Sequence, residues 1–305
     1  MYYDLVSFGR YICRKRKSLA YTQQDISILS SISTDSLRRI ENGKVHPTHE
    51  TLEYLSKALK IDLNKIMLKY RIFNQEEFYK TKNEIEIKIV NGKYDNLEQD
   101  LVTLKKILKD SNLNLFTSIV IKQLSLFVES VLLNTINKDY EISFVKLIEA
   151  IQLTTPAFTV DNYMNFVYST FEIRLLMNIA LIKNKLGYTN KSIDILTFCL
   201  DNLDPEEAPL RIRILYNLAY SFHRIDSHEK ALYYANEGIN LSVENNNLAV
   251  LALLYSRKGV AEFFLKKDNY TESFERAIHI HDILNQVNLK NMLFSFCKTH
   301  NISIS

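Results

Sequence analysis

Apolar residues recur along most of the chain at intervals of three and four, the spacing that places them on one face of an α-helix. Leu5, Phe8 and Ile12 show this spacing near the start of the chain, and Leu52 and Leu55 show it again further on. Only six Gly and four Pro occur among the 305 residues, so the residues that favour tight turns are scarce. The pattern predicts an all-α fold.

Local start and stop signals divide residues 1–70 into five short helices. Thr22 and Asp25 have the spacing of a capping box at the start of the second helix, and Ser33 is a good N-cap for the third. Gly43 stands where a helix commonly ends in a left-handed residue. These signals predict a helix, a tight turn and a further helix within a five-helix unit.

From about residue 75 onward, the predicted helices are separated by breaks that repeat every 40 to 48 residues, as at 187–188 and 226–228. A period of this size with two helices per repeat predicts a solenoid of tetratricopeptide type, because each pair buries its apolar face only against its neighbours. About five helix pairs and a C-terminal capping helix fit the length. The predicted borders are 1–70 for the first domain, 71–80 for a linker helix region and 81–305 for the repeat domain.

Charge distinguishes the two parts of the chain. Residues 1–70 contain twelve Lys or Arg against seven Asp or Glu, whereas the remainder contains twenty-six against twenty-eight. A small basic unit joined to a larger, slightly acidic one indicates nucleic acid as a partner of the first unit alone. A solvated positive face would give the same counts, so charge by itself leaves both interpretations open.

The sequence gives little sign of export or of a membrane span. Its most apolar region, residues 119–133, is interrupted by Lys122 and Glu129, and the N-terminus has the acidic Asp4 in place of a basic start followed by an apolar stretch. We therefore expect a cytoplasmic protein with no membrane partner.

Catalytic and metal-binding patterns are also not apparent. His279 and His281 have no acidic or metal-ligand partners at useful spacing, and no Gly-rich loop for phosphate occurs. Cys13, Cys199 and Cys297 are too far apart for a zinc site and odd in number, so we expect reduced core thiols. The prediction is a protein that is not an enzyme and has neither metal nor cofactor.

The first unit resembles the helix-turn-helix of the phage-repressor (Cro/C1, XRE) family. The resemblance rests on FGRYI at 8–12, YTQQDI at 21–26 and SLRRIENGK at 36–44. In that family the third helix enters the major groove of double-stranded DNA, and the N-terminus of the second lies against a phosphate. The DNA-binding residues that the resemblance implies are Gln23, Ser33, Thr34, Asp35, Arg38, Arg39, Asn42 and Lys44.

The chemistry of the third helix agrees with this assignment. Arg38 and Arg39 can grip guanine or a phosphate with their planar guanidinium groups. Asp35 either accepts from a cytosine amino group or orients one of these arginines. The resemblance further implies a partly buried ion pair between Arg16 and Glu41.

The chain departs from the repressor pattern at three serines in and before the turn. Ser27 replaces a small Ala, Ser30 an apolar residue and Ser31 the turn glycine. Ser31 would need a positive φ angle, at a cost of about 1 kcal/mol. These changes bear on the geometry of the turn more than on the fold.

Two segments of the repeat region match closely: IRLLMNIAL at 173–181 and IRILYNLAY at 212–220. Each has Arg one turn before Asn, a poor helix former in mid-helix. The two asparagines either bridge neighbouring helices inside the solenoid or line its concave face, where an amide can bind the backbone of an extended peptide.

A repressor-type helix-turn-helix followed by such pairs resembles the peptide-pheromone receptors of Gram-positive bacteria, the RNPP group with its PlcR, PrgX and Rgg types. The resemblance covers most of the chain and rests on residues 188–200, 213–220 and 231–259, with SRKG at 256–259. It implies a quorum-sensing regulator, a homodimer that reads paired half-sites and binds a short signalling peptide in its groove. The implied peptide-binding residues are Arg174, Asn178, Arg213, Tyr216, Asn217, Tyr220 and Arg257.

Two other functions remain open from the residues. The solenoid of a DNA-binding regulator could engage a protein partner in place of a peptide. A helical scaffold that binds no DNA would require the basic first unit to be inert.

Overall fold

The computed structural model describes residues 3–70, 75–90, 92, 94, 96–110, 113 and 115–302. They form α-helices and short turns, with 3₁₀ segments at Leu68–Tyr70 and Tyr163–Asn165 and a π turn at Leu133–Asn137. Within these ranges there is no β-strand. The prediction of an all-α fold is confirmed.

Five short helices form the start of the chain, as the capping signals predicted. They close around an apolar core in which Phe8, Ile12, Ile26, Leu37 and Leu55 are at most 1% exposed. The αL residue expected after the third helix is present, since Gly43 has φ 66°. The helices are α1 (Leu5–Ser18), α2 (Gln23–Ser30), α3 (Thr34–Glu41), α4 (His49–Leu59) and α5 (Leu63–Met67).

Helices α1 and α3 approach each other closely at Gly9. A Cβ atom at this position would lie 2.4 Å from the carbonyl oxygen of Ile40 and 2.5 Å from that of Glu41. Glycine is a poor helix former, about 1 kcal/mol worse than alanine, yet it stands here in mid-helix. The close approach requires it, and it sets the position of the C-terminal end of α3 against α1.

The rest of the described chain is a series of helices arranged in pairs. The breaks predicted at 187–188 and 226–228 are turns between paired helices. The helices are α6 (Gln75–Val90), α7 (Leu97–Ile107), α8 (Leu115–Leu132), α9 (Tyr140–Gln152), α10 (Thr170–Lys185), α11 (Thr189–Asn202), α12 (Ala208–His223), α13 (His228–Glu244), α14 (Leu248–Phe264), α15 (Tyr270–Ile283) and α16 (Val287–Thr299).

Successive pairs pack side by side. Helix α10 packs on α11, α12 on α13 and α14 on α15, while α11 also contacts α12 and α13 contacts α14. Polar contacts join the earlier pairs: Lys88 Nζ lies 2.6 Å from Asp100 Oδ2 between α6 and α7, and Gln123 of α8 donates to the Ala150 carbonyl of α9. Helix α16 packs on α15 at the end. The prediction of a TPR-like repeat fold is confirmed, and the described helices form five pairs followed by α16.

The contacts divide the chain into two compact units. The first unit of the structure, which contains α1–α5, consists of Met1–Lys82 with Lys106–Ser118. The second unit consists of Asn83–Lys105 with Ile119–Ser305. Within the predicted linker 71–80, residues 71–74 lie outside the described residues and the rest begins α6. The domain borders at 70 and 80 stay a prediction.

One segment, Leu115–Asn137, is long and apolar enough to cross a membrane by length and composition alone. It packs as a core helix does. Gln123, Ser125 and Ser130 in this segment are buried, and each forms a hydrogen bond within the protein. Burial of satisfied polar side chains is typical of a helix inside a folded protein.

Candidate functional site

Two of the three serines that depart from the repressor pattern lie where α2 meets the turn, Ser30 as the last residue of α2 and Ser31 directly after it. Ser31 adopts φ 57° and ψ 19°, the left-handed conformation that its position required. Ser30 is 2% exposed, and its hydroxyl donates to the Ile26 carbonyl at 2.7 Å, so the buried polar atom is satisfied. Thr22 forms a complete capping box with Asp25 at the start of α2. The turn keeps its helix-turn-helix form.

Helix α3 has one buried and one exposed face. Leu37 and Ile40 pack into the core, whereas Arg38 and Arg39 are exposed. Arg38 Nη2 donates to Asp35 Oδ1 at 2.7 Å, and both side chains are more than 60% exposed. Of the two roles predicted for Asp35, this contact matches the orientation of an arginine.

The remaining residues assigned to DNA lie around α3. Ser33 caps α3 by accepting from the Ser36 amide. Asn42 donates its amide to the Arg38 carbonyl at 2.8 Å, and Lys44 is exposed after the helix end. Thr34, at the first position of α3, is half-buried. The outward surface formed by α3 and its flanking residues is the candidate DNA face.

A network of hydrogen bonds joins α1, α2 and α3. Arg16 donates from Nε and Nη2 to the two carboxylate oxygens of Glu41, at 2.6 and 3.0 Å, and from Nη1 to the Tyr21 carbonyl at 2.9 Å. The bonds to Glu41 raise the pKa of the Arg16 guanidinium. Gln23 Nε2 donates to Glu41 Oε2 at 2.8 Å, so its amide nitrogen is engaged within the domain. The N-terminus of α2 stays at the surface beside it.

The second unit contains a cavity of about 390 Å³ beside α10, α12 and α14. Helix α12 packs on both of the others. All seven residues that sequence reasoning assigned to peptide binding line this cavity: Arg174, Asn178, Arg213, Tyr216, Asn217, Tyr220 and Arg257.

The two asparagines sit one on each of two neighbouring helices. Asn178 is half-buried and donates its amide to the Arg174 carbonyl of the same helix at 2.8 Å, so it does not bridge to a neighbour through that nitrogen. Asn217 is 8% exposed. A different asparagine bridges the helices, because Asn184 Nδ2 donates to Ser221 Oγ at 2.7 Å. Of the two interpretations, lining of the cavity describes the predicted pair.

Two of the three arginines that line the cavity contact aromatic rings. The Arg174 guanidinium lies 4.6 Å from the centre of the Phe127 ring, and that of Arg257 lies 4.6 Å from Tyr220. Arg257 Nη2 also donates to the Tyr216 hydroxyl at 3.0 Å. Ring faces attract cations electrostatically, so these contacts stabilise the charges without neutralising them.

The family profile described as the RNPP family C-terminal domain matches residues 134–300, and a helix-turn-helix profile matches residues 14–66. The first match covers more than half of the chain.

The chain belongs to the RNPP family.

Solved structures similar to this RNPP chain share its fold over nearly its whole length. Bacillus thuringiensis PlcR in complex with the peptide PapR7 and DNA is 20% identical, with a TM-score of 0.71 over 94% of this chain and 99% of that one. ComR from S. thermophilus with DNA and its signalling peptide ComS is 14% identical, with a TM-score of 0.55 over 94% and 97%. The Streptococcus dysgalactiae SHP pheromone receptor Rgg2 is 13% identical, with a TM-score of 0.58 over 95% and 99%. A comparison with curated protein sequences finds no significant match.

Sequence reasoning missed several residues of the RNPP cavity. Lys185 lines it, and its Nζ donates to Asn134 Oδ1 at 2.7 Å. Glu86 on α6 forms an ion pair with Arg174 Nη1. No local pattern singles out Glu86, because its partner is 88 residues away. Lys185 lies four residues after Leu181 and on the same helix face as Asn178, so its spacing could have predicted it as a cavity residue.

Residues of α1 were also missed in the first unit. Arg10, Arg14 and Lys17 surround a hollow that Gln23 and Asn42 line as well. Their spacing of four and three places them on one helix face, all three exposed. The basic run RKRK at 14–17 was the available signal in the sequence. These α1 residues extend the positive surface beyond α3.

Proposed function

We propose that this RNPP chain is a sequence-specific DNA-binding transcriptional regulator controlled by a short signalling peptide bound beside α10, α12 and α14. One observation carries the proposal. The seven predicted peptide-binding residues come from three separate helices and line one cavity. An amide that offers both donor and acceptor suits a peptide backbone, which offers the same two groups in return.

The first unit supplies the DNA-binding side of the proposal. The exposed Arg38 and Arg39 stand on a helix whose apolar face is fixed in the core, so they can enter a groove without disturbing the fold. Ser33, Asn42, Lys44 and the N-terminus of α2 would bind phosphates, which position the domain without specifying sequence. The solved PlcR and ComR relatives are complexes with DNA and peptide, which supports both halves of the proposal.

The regulator would act in the cytoplasm as a homodimer. Two copies of a helix-turn-helix read half-sites one helical turn, about 34 Å, or a multiple of it apart. The linker 71–80 would transmit the change from the repeat domain to the DNA-binding domain. The proposed role is regulation, so no residue is assigned to catalysis.

Electrophoretic mobility shift with the full-length protein tests the DNA-binding half. The probe is the DNA upstream of the chain's own gene, and the competitor is a scrambled duplex of equal length. We expect a shift that the scrambled duplex does not remove and that weakens steeply with salt, because phosphate contacts release counterions. Equal competition by both duplexes would contradict sequence-specific binding.

The peptide half is tested on the same complex. Short synthetic peptides encoded by small reading frames beside the gene, and a randomised peptide pool as a second source, are added before the shift assay. We expect a peptide that changes operator affinity and raises the melting temperature of the protein, since a ligand that binds the folded state stabilises it. If no peptide has either effect while DNA binding persists, the interpretation in which the repeat domain binds a protein partner replaces this one.

A further inference from the structure

The cavity of the second unit has an unbalanced charge. Its lining contains four basic side chains, and none of the lining residues that the structure describes is acidic. Burial and the neighbouring Arg174 guanidinium lower the pKa of Arg213, and burial lowers the pKa of Lys185. Both shifts have the direction expected for cations gathered in a poorly hydrated hollow.

The guanidinium groups also have unused hydrogen-bond donors. The Arg174 side chain is 10% exposed, and its Nε and Nη2 have no hydrogen-bond partner among the described residues. The buried Nε of Arg257 likewise has no hydrogen-bond partner among the described residues. Buried donors without partners cost about 1 to 3 kcal/mol each, so natural proteins rarely keep them without a role.

One carboxylate reaches these arginines from outside the lining. Glu86 pairs with Nη1 of Arg174, whereas the other two guanidinium nitrogens, Nε and Nη2, are the ones without partners among the described residues. Its side chain is 29% exposed, so water shares its charge. Four basic side chains against this carboxylate leave the cavity strongly positive.

Carboxylates fit such a site better than other groups that peptides carry. A guanidinium presents two parallel N–H donors that match the two oxygens of a carboxylate, and bonds of this kind are about twice as strong as neutral ones. The Phe127, Tyr216 and Tyr220 rings beside the arginines provide apolar surface for the rest of a ligand. The volume of about 390 Å³ is within the usual range for ligand pockets of about 300 to 1,000 Å³.

We infer that Arg174, Arg213 and Arg257 form a carboxylate-binding site, so that the signalling peptide must present a negative charge to this cavity. The inference rests on the proposed function, because it specifies the chemistry of the proposed peptide. The carboxylate is either the C-terminus of the peptide or an Asp or Glu side chain within it.

Matched analogues of a binding peptide test the inference without altering the protein. The starting probe is the tightest binder from the short synthetic peptides, measured by titration calorimetry with the full-length chain. One analogue has an amidated C-terminus, and others have each Asp or Glu replaced by Asn or Gln. We expect one class of analogue to bind about 10- to 100-fold more weakly, which identifies the source of the carboxylate. Equal binding by all analogues would overturn the inference and leave the proposed function intact.

Protein variants then locate the site. Arg213→Gln should bind the parent peptide and its weakened analogue with nearly equal affinity, because the group that distinguishes them is gone. Arg276→Gln is the matched control, since Arg276 is an exposed arginine on α15 outside the cavity lining. Circular dichroism and gel filtration verify that both variants fold.

If Arg213→Gln, Arg174→Gln and Arg257→Gln all still distinguish the parent peptide from its analogue, charge recognition lies elsewhere and the inference is overturned. Absence of any peptide binding would overturn the proposed function together with it.

Discussion

Two arginines, one in each unit, are equally buried and differently satisfied. Measured over the whole residue, Arg16 and Arg174 are each 8% exposed. Arg16 donates from three nitrogens to Glu41 and to the Tyr21 carbonyl, whereas Arg174 pairs with Glu86 through Nη1 and leaves Nε and Nη2 without partners among the described residues. A complete set of partners indicates a residue that holds the fold together. An incomplete set indicates a residue available to a ligand.

The largest expected effect concerns Arg16. Arg16→Gln should destabilise the first unit by about 3 to 5 kcal/mol, because it leaves the buried Glu41 charge unpaired. Arg174→Gln should cost about 1 kcal/mol or less, since its partner Glu86 is partly hydrated. Amide hydrogen exchange of the full-length protein, read separately over α1–α5 and α10–α14, measures both. Equal costs would remove the distinction between the two arginines.

The next effect concerns arginines that are exposed. Arg38→Ala or Arg39→Ala should weaken operator binding by about 1 to 3 kcal/mol and relax specificity at one base pair. Lys44→Ala should weaken binding to all sequences alike and lower the salt dependence by about one counterion. Fluorescence anisotropy with operator variants measures these changes, and Lys57→Ala on the exposed side of α4 is the control. If neither arginine variant alters binding, the assignment of α3 to the DNA is wrong.

A smaller effect depends on pH and involves His223, a neighbour of the cavity residue Arg257. Burial and the neighbouring His228, whose Nδ1 lies 2.9 Å from that of His223, lower the pKa of His223 to about 4. Arg257 and His300 act in the same direction, and Asp226 acts against them. The unfolded chain therefore binds more protons than the folded one between about pH 6.5 and 4, so stability falls as pH falls through this window.

The expected loss for His223 between pH 7 and 5 is on the order of 1 kcal/mol. Urea denaturation at both pH values measures it. His223→Gln should reduce the pH dependence, because glutamine has no titrating group in this window. The same pH dependence in wild type and His223→Gln would contradict the prediction.

The smallest effect is expected in the turn before α3. Ser31→Gly should stabilise the first unit by about 0.5 to 1 kcal/mol, because glycine adopts φ 57° without the steric cost that serine has there. Ser36→Gly, in the first turn of α3, is the matched control and should destabilise the unit, since glycine disfavours helical backbone. Thermal melts of the two variants, together with amide hydrogen exchange over α1–α5, measure the change in stability of each. Stabilisation by both would show that the turn conformation is not the cause.

Local features of this molecule could be predicted, whereas contacts between distant residues could not. Thr22, Ser33 and Gly43 mark helix ends because each acts on backbone groups within four residues, and the structure has helix ends at all three. The positive φ of Ser31 followed from its place in a known turn. These predictions depend only on neighbouring residues in the sequence.

The cavity was predictable in part for a related reason. Residues 174, 178, 213 and 217 recur in register, and register along a repeat places them on equivalent helix faces. The Glu86 contact has no such signal, because it depends on how α6 lies against α10 within the unit. The amide of Asn178 donates within its own helix, and Asn184 forms the hydrogen bond to the neighbouring helix. Side-chain rotamers decide this difference, and sequence spacing does not predict them.

Glu41 accepts from Arg16 and Gln23 at the end of α3, so these bonds to α1 and α2 leave from the inward side of α3. The outward side chains of Arg38 and Arg39 take no part in these bonds. Their identity can therefore change without loosening the helix that carries them. If Arg38 and Arg39 read the operator as proposed, this separation would let one scaffold acquire a new operator by single substitutions, with the second unit unchanged.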